Sequence, residues 1–149
     1  MKTMKDYLPK AWMAVKAMTD GLNNIPNDNF KLEMISFGHY ESNKLGKPIC
    51  YGCAATCAIQ QAVGKRFAPG NISSLKARSE ALKIDHIDMD VFEQMIDSLR
   101  FGVISSLEDY YDHPLPWPIK PLESLRGYDY KEKLGLYIAY WKQLKKLDL

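Results

Sequence analysis

The 149-residue sequence lacks the features that would assign it to a membrane, to secretion or to nucleic acid. No apolar run approaches the roughly 20 residues that a membrane-spanning helix requires. The amino terminus has no apolar segment followed by a cleavage site, so we expect a cytoplasmic protein. The formal net charge is only +2, which predicts neither a nucleic-acid partner nor an anionic membrane partner. The composition is ordinary for a globular protein, and its size predicts a single domain over 1–149.

The sequence motifs of common catalytic sites are also missing. The chain has no phosphate-binding glycine loop, no Gly-x-Ser-x-Gly and no His-Glu-x-x-His. It has only three histidines and three cysteines. Three cysteines cannot all pair within one chain, which favours reduced thiols in a cytoplasmic protein. We therefore expect no cofactor, and the sequence favours a protein without catalytic activity.

The cysteines lie together at positions 50, 53 and 57, in a run of small and apolar residues. A helix with apolar residues on nearly every side is normally buried. We predict a buried central helix over about 52–63, which ends at Gly64. Because Pro48 disfavours a helical conformation at the residue before it, a loop should lead into this helix.

Apolar residues at spacings of three and four predict further helices around the central one. Three long helices are predicted over about 6–20, 90–101 and 129–147. Asp6 and Asp90 are the expected N-caps of the first two, and Gly21 should lie just past the end of the first. Two shorter helices are predicted, a surface helix up to about 82 and two turns from Ser105.

Residues 30–37 fit a helix better than the short strand that their alternation also permits. The expected fold is therefore mainly α, with little strand. It is a single-domain bundle of five to six helices around the central helix.

Half of the eight prolines lie within residues 114–121. Helices and central strands exclude proline at this density, so this segment should form an extended strap across the helices. An acidic and aromatic segment precedes the strap. Together the two segments supply the candidate binding residues Tyr110, Tyr111, Asp112, His113 and Trp117. Exposed aromatic rings on a rigid strap suit a protein interface, but the same rings would also suit the edge of the core.

The cysteine cluster has three interpretations, of which a structural one is favoured because buried cysteines pack as small apolar side chains. The second is a thiol-dependent enzyme or redox protein. In it Cys53 is activated at the helix N-terminus, with Cys50 or Cys57 as its partner. The strand that precedes such a pair in thioredoxin-like folds is not evident in the sequence. The only downstream histidines that could serve as a base are His86 and His113.

The third interpretation of the cluster is a metal site. Its ligands would be Cys50, Cys53, Cys57 and His39. Structural zinc sites usually draw their ligands in two closely spaced pairs, and a [4Fe–4S] cluster needs a fourth cysteine. This interpretation is therefore the least favoured.

Lysines crowd the end of the last predicted helix, at positions 142, 145 and 146. The helix dipole explains cations at this end, and no aromatic residues alternate with the lysines as in nucleic-acid-binding surfaces. The function that the sequence favours is thus an intracellular protein-binding module, such as an adaptor, an inhibitor or an immunity-type protein. Its partner should be another protein rather than nucleic acid or membrane, and a homo-oligomer is compatible with this prediction.

Overall fold

The computed structural model describes residues 1–23, 30–32, 39–42, 48–52, 54–64, 79–80, 82–100, 104–116 and 130–149. The helices are α1 (Met4–Tyr7), α2 (Ala11–Asn23), α3 (Ala54–Val63), α4 (His86–Arg100), α5 (Ser105–Tyr111) and α6 (Tyr130–Lys146). The strands are β1 (Phe30–Leu32), β2 (His39–Ser42) and β3 (Pro48–Gly52). The chain is mainly helical with its helices packed together, which confirms the predicted fold class. Among the described residues, none of the helices combines the length and apolar composition needed to cross a membrane.

The amino-terminal segment forms two helices where one was predicted. Thr3 is the N-cap of α1, and its backbone N–H donates to the carboxylate of Asp6 at 2.7 Å. This hydrogen bond lowers the pKa of Asp6. Asp6 is therefore the third residue of α1 and not the cap of a long helix. Because the helix is capped at Thr3, Pro9 would lie beyond the first turn, in the helix interior, and proline is not tolerated there. The first helix therefore ends before Pro9, and α2 begins at Ala11.

The three strands form a small sheet in the order β1-β3-β2. β1 pairs parallel to β3, and β2 pairs antiparallel to β3. The predicted helix at 30–37 is therefore wrong over Phe30–Leu32, and residues 33–37 lie outside the described ranges. The predicted loop before the central helix is also wrong, because β3 occupies Pro48–Gly52. β1 obtains its hydrogen-bond partners from β3, a strand further along the chain, and local periodicity does not report such a pairing.

Helix α3 begins two residues later than predicted and ends as predicted, with Gly64 at a φ of 67° just past its last residue. Residues 55–59 are all buried, whereas Gln61 is exposed, so the helix is enclosed on all sides only over its first half. Helix α2 packs along both α3 and α6 and also contacts α4 and α5, and it shares the central position.

The crossing of α2 and α3 depends on Gly21. Contrary to the sequence prediction, Gly21 lies inside α2 rather than past its end. A Cβ atom at this position would lie 2.5 Å from the carbonyl oxygen of Cys57 and 3.1 Å from the backbone nitrogen of Ala58. Only glycine therefore permits the two backbones to approach this closely.

Helix α4 starts four residues before the predicted cap. The Asp85 carboxylate accepts the backbone N–H groups of Ile87 and Asp88 at 3.0 and 3.1 Å, so Asp85 is the capping residue. Asp90 lies inside the helix and is exposed. A surface helix was predicted up to about residue 82, but Leu82, just before α4, is buried at 2% exposure.

The two remaining helices follow the sequence pattern more closely. α5 makes the two turns predicted from Ser105. α6 buries Tyr137, Tyr140 and Leu144, whereas Leu147 is exposed. The ring of Tyr140 is buried, and its hydroxyl donates to a carbonyl oxygen on another segment.

Candidate functional site

The two tyrosines at the end of α5 are bound into the fold through their hydroxyl groups. Tyr110 is 7% exposed, and its hydroxyl lies 3.0 and 3.1 Å from the two carboxylate oxygens of Asp88, to which it donates. The same carboxylate accepts the backbone N–H of Met4. The Tyr111 hydroxyl donates to the carbonyl oxygen of Leu8 at 2.8 Å. Tyr110 thus belongs to the core edge and does not offer the exposed ring that the interface interpretation requires.

Burial governs the acidity of the phenols in this region. It raises the pKa of Tyr110, and the negative charge of Asp88 raises it further. Burial also raises the pKa of Tyr111, again with a smaller contribution from Asp88. The pKa of Tyr140 is raised by burial and by the charge of Glu108. The raised pKa values favour the protonated form of these three hydroxyls, which is the form that donates the hydrogen bonds, and this suits a structural role.

The residues that follow the tyrosines are exposed and form a turn that we call the α5 ridge, which consists of Asp112, His113 and Pro114. Asp112 ends α5 in the left-handed conformation, with a φ of 52°. The backbone N–H of His113 donates to the carbonyl oxygen of Glu108 at 3.0 Å. The Glu108 carboxylate in turn accepts the backbone N–H of Leu115 at 2.9 Å.

Helix α6 holds the far side of the α5 ridge. The Tyr140 hydroxyl donates to the carbonyl oxygen of Pro116 at 3.0 Å, and Leu115 is buried beside it at 6% exposure. Residues 114–116 form neither helix nor strand, as predicted for the start of the strap. Trp117 and the rest of the strap lie outside the described residues, so the predicted role of Trp117 stays a prediction.

The cysteine cluster spans the junction between β3 and α3. Cys50 lies within β3, where its Cα is paired with Phe30 of β1 and with Tyr40 of β2. Cys57 lies within α3 and is 5% exposed. Cys53 lies outside the described residues. The expected lack of a preceding strand is wrong, because β3 runs through Cys50 and ends at Gly52.

The histidines considered as bases or ligands lie in different elements. His39 is in β2 and is paired with Tyr51 rather than with Cys50. His86 begins α4 and His113 belongs to the α5 ridge, and both are exposed. Among the side chains that the structure describes, no three or more histidines, cysteines or carboxylates are grouped to hold a metal ion. The metal set of His39 with the three cysteines includes side chains that the structure does not describe and stays a prediction.

A second surface brings tryptophans and lysines of α2 and α6 together. The rings of Trp12 and Trp141 lie 6.2 Å apart between centroids. The Lys145 ammonium lies 4.9 Å from the ring centroid of Trp12. The ammonium groups of Lys16 and Lys142 lie 5.5 and 5.8 Å from that of Trp141. We call these five residues the Trp–Lys face.

Sequence reasoning missed the Trp–Lys face because two of its residues come from α2. The absence of aromatic residues among the terminal lysines, noted from the sequence, therefore does not hold in three dimensions. The available signal was the pair of half-buried tryptophans on the facing stripes of two long helices.

In comparisons of the whole chain with known proteins, no family model, curated protein or solved structure matches it.

Proposed function

We propose that the chain is a cytoplasmic protein-binding module that acts without catalysis and recognises its partner through the α5 ridge. One observation supports this proposal above the others: exposed side chains stand on a backbone that is fixed from two sides. Glu108 fixes the turn from within α5, and Tyr140 of α6 fixes the chain at Pro116, two residues after the turn. A binding site is normally built in this way, on a rigid scaffold.

A fixed turn lowers the entropy lost on binding, because the free protein already holds its bound conformation. The α5 ridge combines a carboxylate, an imidazole and a proline ring. These groups suit a basic side chain that lies beside apolar surface on the partner. The proposed partner is another protein, and the analogy to adaptors, inhibitors and immunity-type proteins is one of size and fold class.

Photocross-linking tests whether a partner contacts the α5 ridge. A photoreactive residue placed at exposed Asp109 should cross-link a distinct protein in cell extract, because this position adjoins the ridge. The same residue at exposed Gln94 of α4 is the matched control. If both positions yield the same products, or if neither yields any, the proposed binding site is wrong.

Replacing Asp112 with glycine and His113 with alanine should abolish that cross-link without weakening the fold. Glycine adopts the left-handed conformation of residue 112 without the steric cost of a Cβ atom, which should favour folding by up to about 1 kcal/mol. Chemical denaturation of the double variant checks this expectation. Undiminished cross-linking from position 109 in the stable double variant would contradict the proposal.

A second candidate function is a thiol redox protein, favoured by the strand–helix junction at the cysteine cluster. β3 contains Cys50 and ends one residue before Cys53, and α3 begins one residue after it. Two reduced thiols at these positions could donate two electrons and two protons to a disulfide substrate. A bond would then form between Cys50 and Cys53, and the substrate would be reduced to two thiols.

Maleimide labelling of the native protein at neutral pH separates the two candidate functions. The redox function requires one fast-reacting cysteine whose signal disappears in Cys53→Ser, because the thiolate is the reacting species. Buried Cys57 should react only after denaturation, and Cys57→Ser is the matched control. For a binding module we expect slow labelling at all three positions. Fast labelling of one thiol by maleimide, together with reversible formation of a Cys50–Cys53 disulfide, would favour the redox function instead.

A further inference from the structure

We infer that the Trp–Lys face is a second interaction surface, which binds an acidic polypeptide segment of a partner protein. It lies on α2 and α6, whereas the α5 ridge lies at the end of α5, and none of its residues belongs to that ridge. The inference therefore holds or fails independently of the proposed ridge.

The lysines of this face differ in how their charges are compensated. Lys16 forms a salt bridge with Asp20, and nearby Lys10 forms one with Asp148 at 3.1 Å. In the part of the chain that the structure describes, Lys142 and Lys145 belong to no salt bridge, and both are exposed. The face therefore presents two uncompensated ammonium groups above two partly buried indole rings.

This combination matches an acidic segment of polypeptide. Carboxylates of the partner can pair with the ammonium groups of Lys142 and Lys145, which complements the charge of the face. The rings of Trp141 and Trp12 hold the ammonium groups of Lys142 and Lys145 on this face through cation–π contacts. Tryptophan is enriched among the residues that contribute most of the binding energy in protein interfaces.

The ring contacts disfavour a nucleic acid as the occupant. Binding of single-stranded nucleic acid depends on bases that stack on open aromatic faces. Here ammonium groups from Lys16 and Lys142 lie over Trp141, and the ammonium of Lys145 lies over Trp12. A base would have to displace these cations before it could stack. Carboxylates gain from the same cations without displacing them.

Titration with poly-L-glutamate of about 20 residues, long enough to cross the face, tests the inference. Binding is followed by calorimetry and by tryptophan fluorescence. The variant Lys142→Glu with Lys145→Glu should lose at least about tenfold in affinity, because both uncompensated cations are reversed. The matched control is Lys2→Glu with Lys83→Glu, which changes the net charge equally at two exposed positions outside the face.

The inference is supported if the control variant retains the affinity of the natural protein while the variant Lys142→Glu with Lys145→Glu loses it. It is overturned if both variants lose affinity equally, because attraction would then depend on net charge alone. It is also overturned if the natural protein does not bind poly-L-glutamate. Tighter binding to single-stranded oligothymidylate, or to vesicles with anionic lipids, would overturn the assignment to a polypeptide. Circular dichroism of each variant confirms that the helices are intact.

Discussion

Replacing Gly21 with alanine should destabilise the chain by about 1–3 kcal/mol, the usual cost of overpacking. The added methyl group would lie 2.5 Å from the carbonyl oxygen of Cys57, which is shorter than any allowed contact. The neighbouring atoms belong to the backbone of α3, so a side-chain rotation cannot relieve the clash. Alanine favours a helix over glycine by about 1 kcal/mol, and the clash should outweigh this gain. Urea denaturation measures the difference in free energy of unfolding.

Gly135 provides a matched control for this prediction. It lies in α6, it is exposed, and a Cβ atom there would have no neighbour within 4 Å. Gly135→Ala should therefore stabilise the protein by about 0.5–1 kcal/mol through helix propensity alone. A Gly21→Ala variant that is as stable as Gly135→Ala would show that α2 and α3 do not cross closely at this point.

Replacing Asp88 with alanine should cost about 2–4 kcal/mol, the second large effect. This carboxylate accepts the Tyr110 hydroxyl and the backbone N–H of Met4, and so joins α4 to α5 and α1. Its removal leaves two partly buried donors without a partner, and each such donor costs about 1–3 kcal/mol. Thermal and urea denaturation give the change in stability.

Three further variants separate the hydrogen bonds of Asp88 from general effects of the substitution. Asp88→Asn keeps an acceptor oxygen and should lose less stability than Asp88→Ala. Asp90→Ala removes an exposed carboxylate from the same helix and should change stability by less than about 0.5 kcal/mol. Tyr110→Phe combined with Asp88→Ala should lose less than the sum of the two single changes. If the effects of Tyr110→Phe and Asp88→Ala add fully, their hydrogen bond is not important for folding.

The helices were largely predictable because their apolar spacing is a local property of the sequence. The two turns of α5 and the glycine that ends α3 are examples. The start of α4 was misplaced because two acidic residues could cap it, and only the hydrogen bonds to Ile87 and Asp88 identify Asp85. The break before α2 depends on competition between the Thr3 cap and Pro9, which a single periodic pattern does not reveal.

Features that depend on distant residues were not predictable in this way. β1 finds its partner in β3, where Phe30 pairs with Cys50. Tyr110 is buried because its hydroxyl meets a carboxylate 22 residues earlier in the chain. The sequence therefore indicated the end of α5 as a candidate site but left open whether its tyrosine rings are exposed or pack at the core edge. The exposed part of that segment is the α5 ridge, which starts two residues later.

The affinity of the cross-linked partner for the α5 ridge is the most direct measure of the proposed function. Calorimetric titration should give the same Kd for the natural protein and for Asp90→Ala, which changes an exposed carboxylate outside the ridge. The double variant Asp112→Gly with His113→Ala should bind at least about tenfold more weakly while remaining as stable as the natural protein. An unchanged Kd in this double variant would contradict recognition through the α5 ridge.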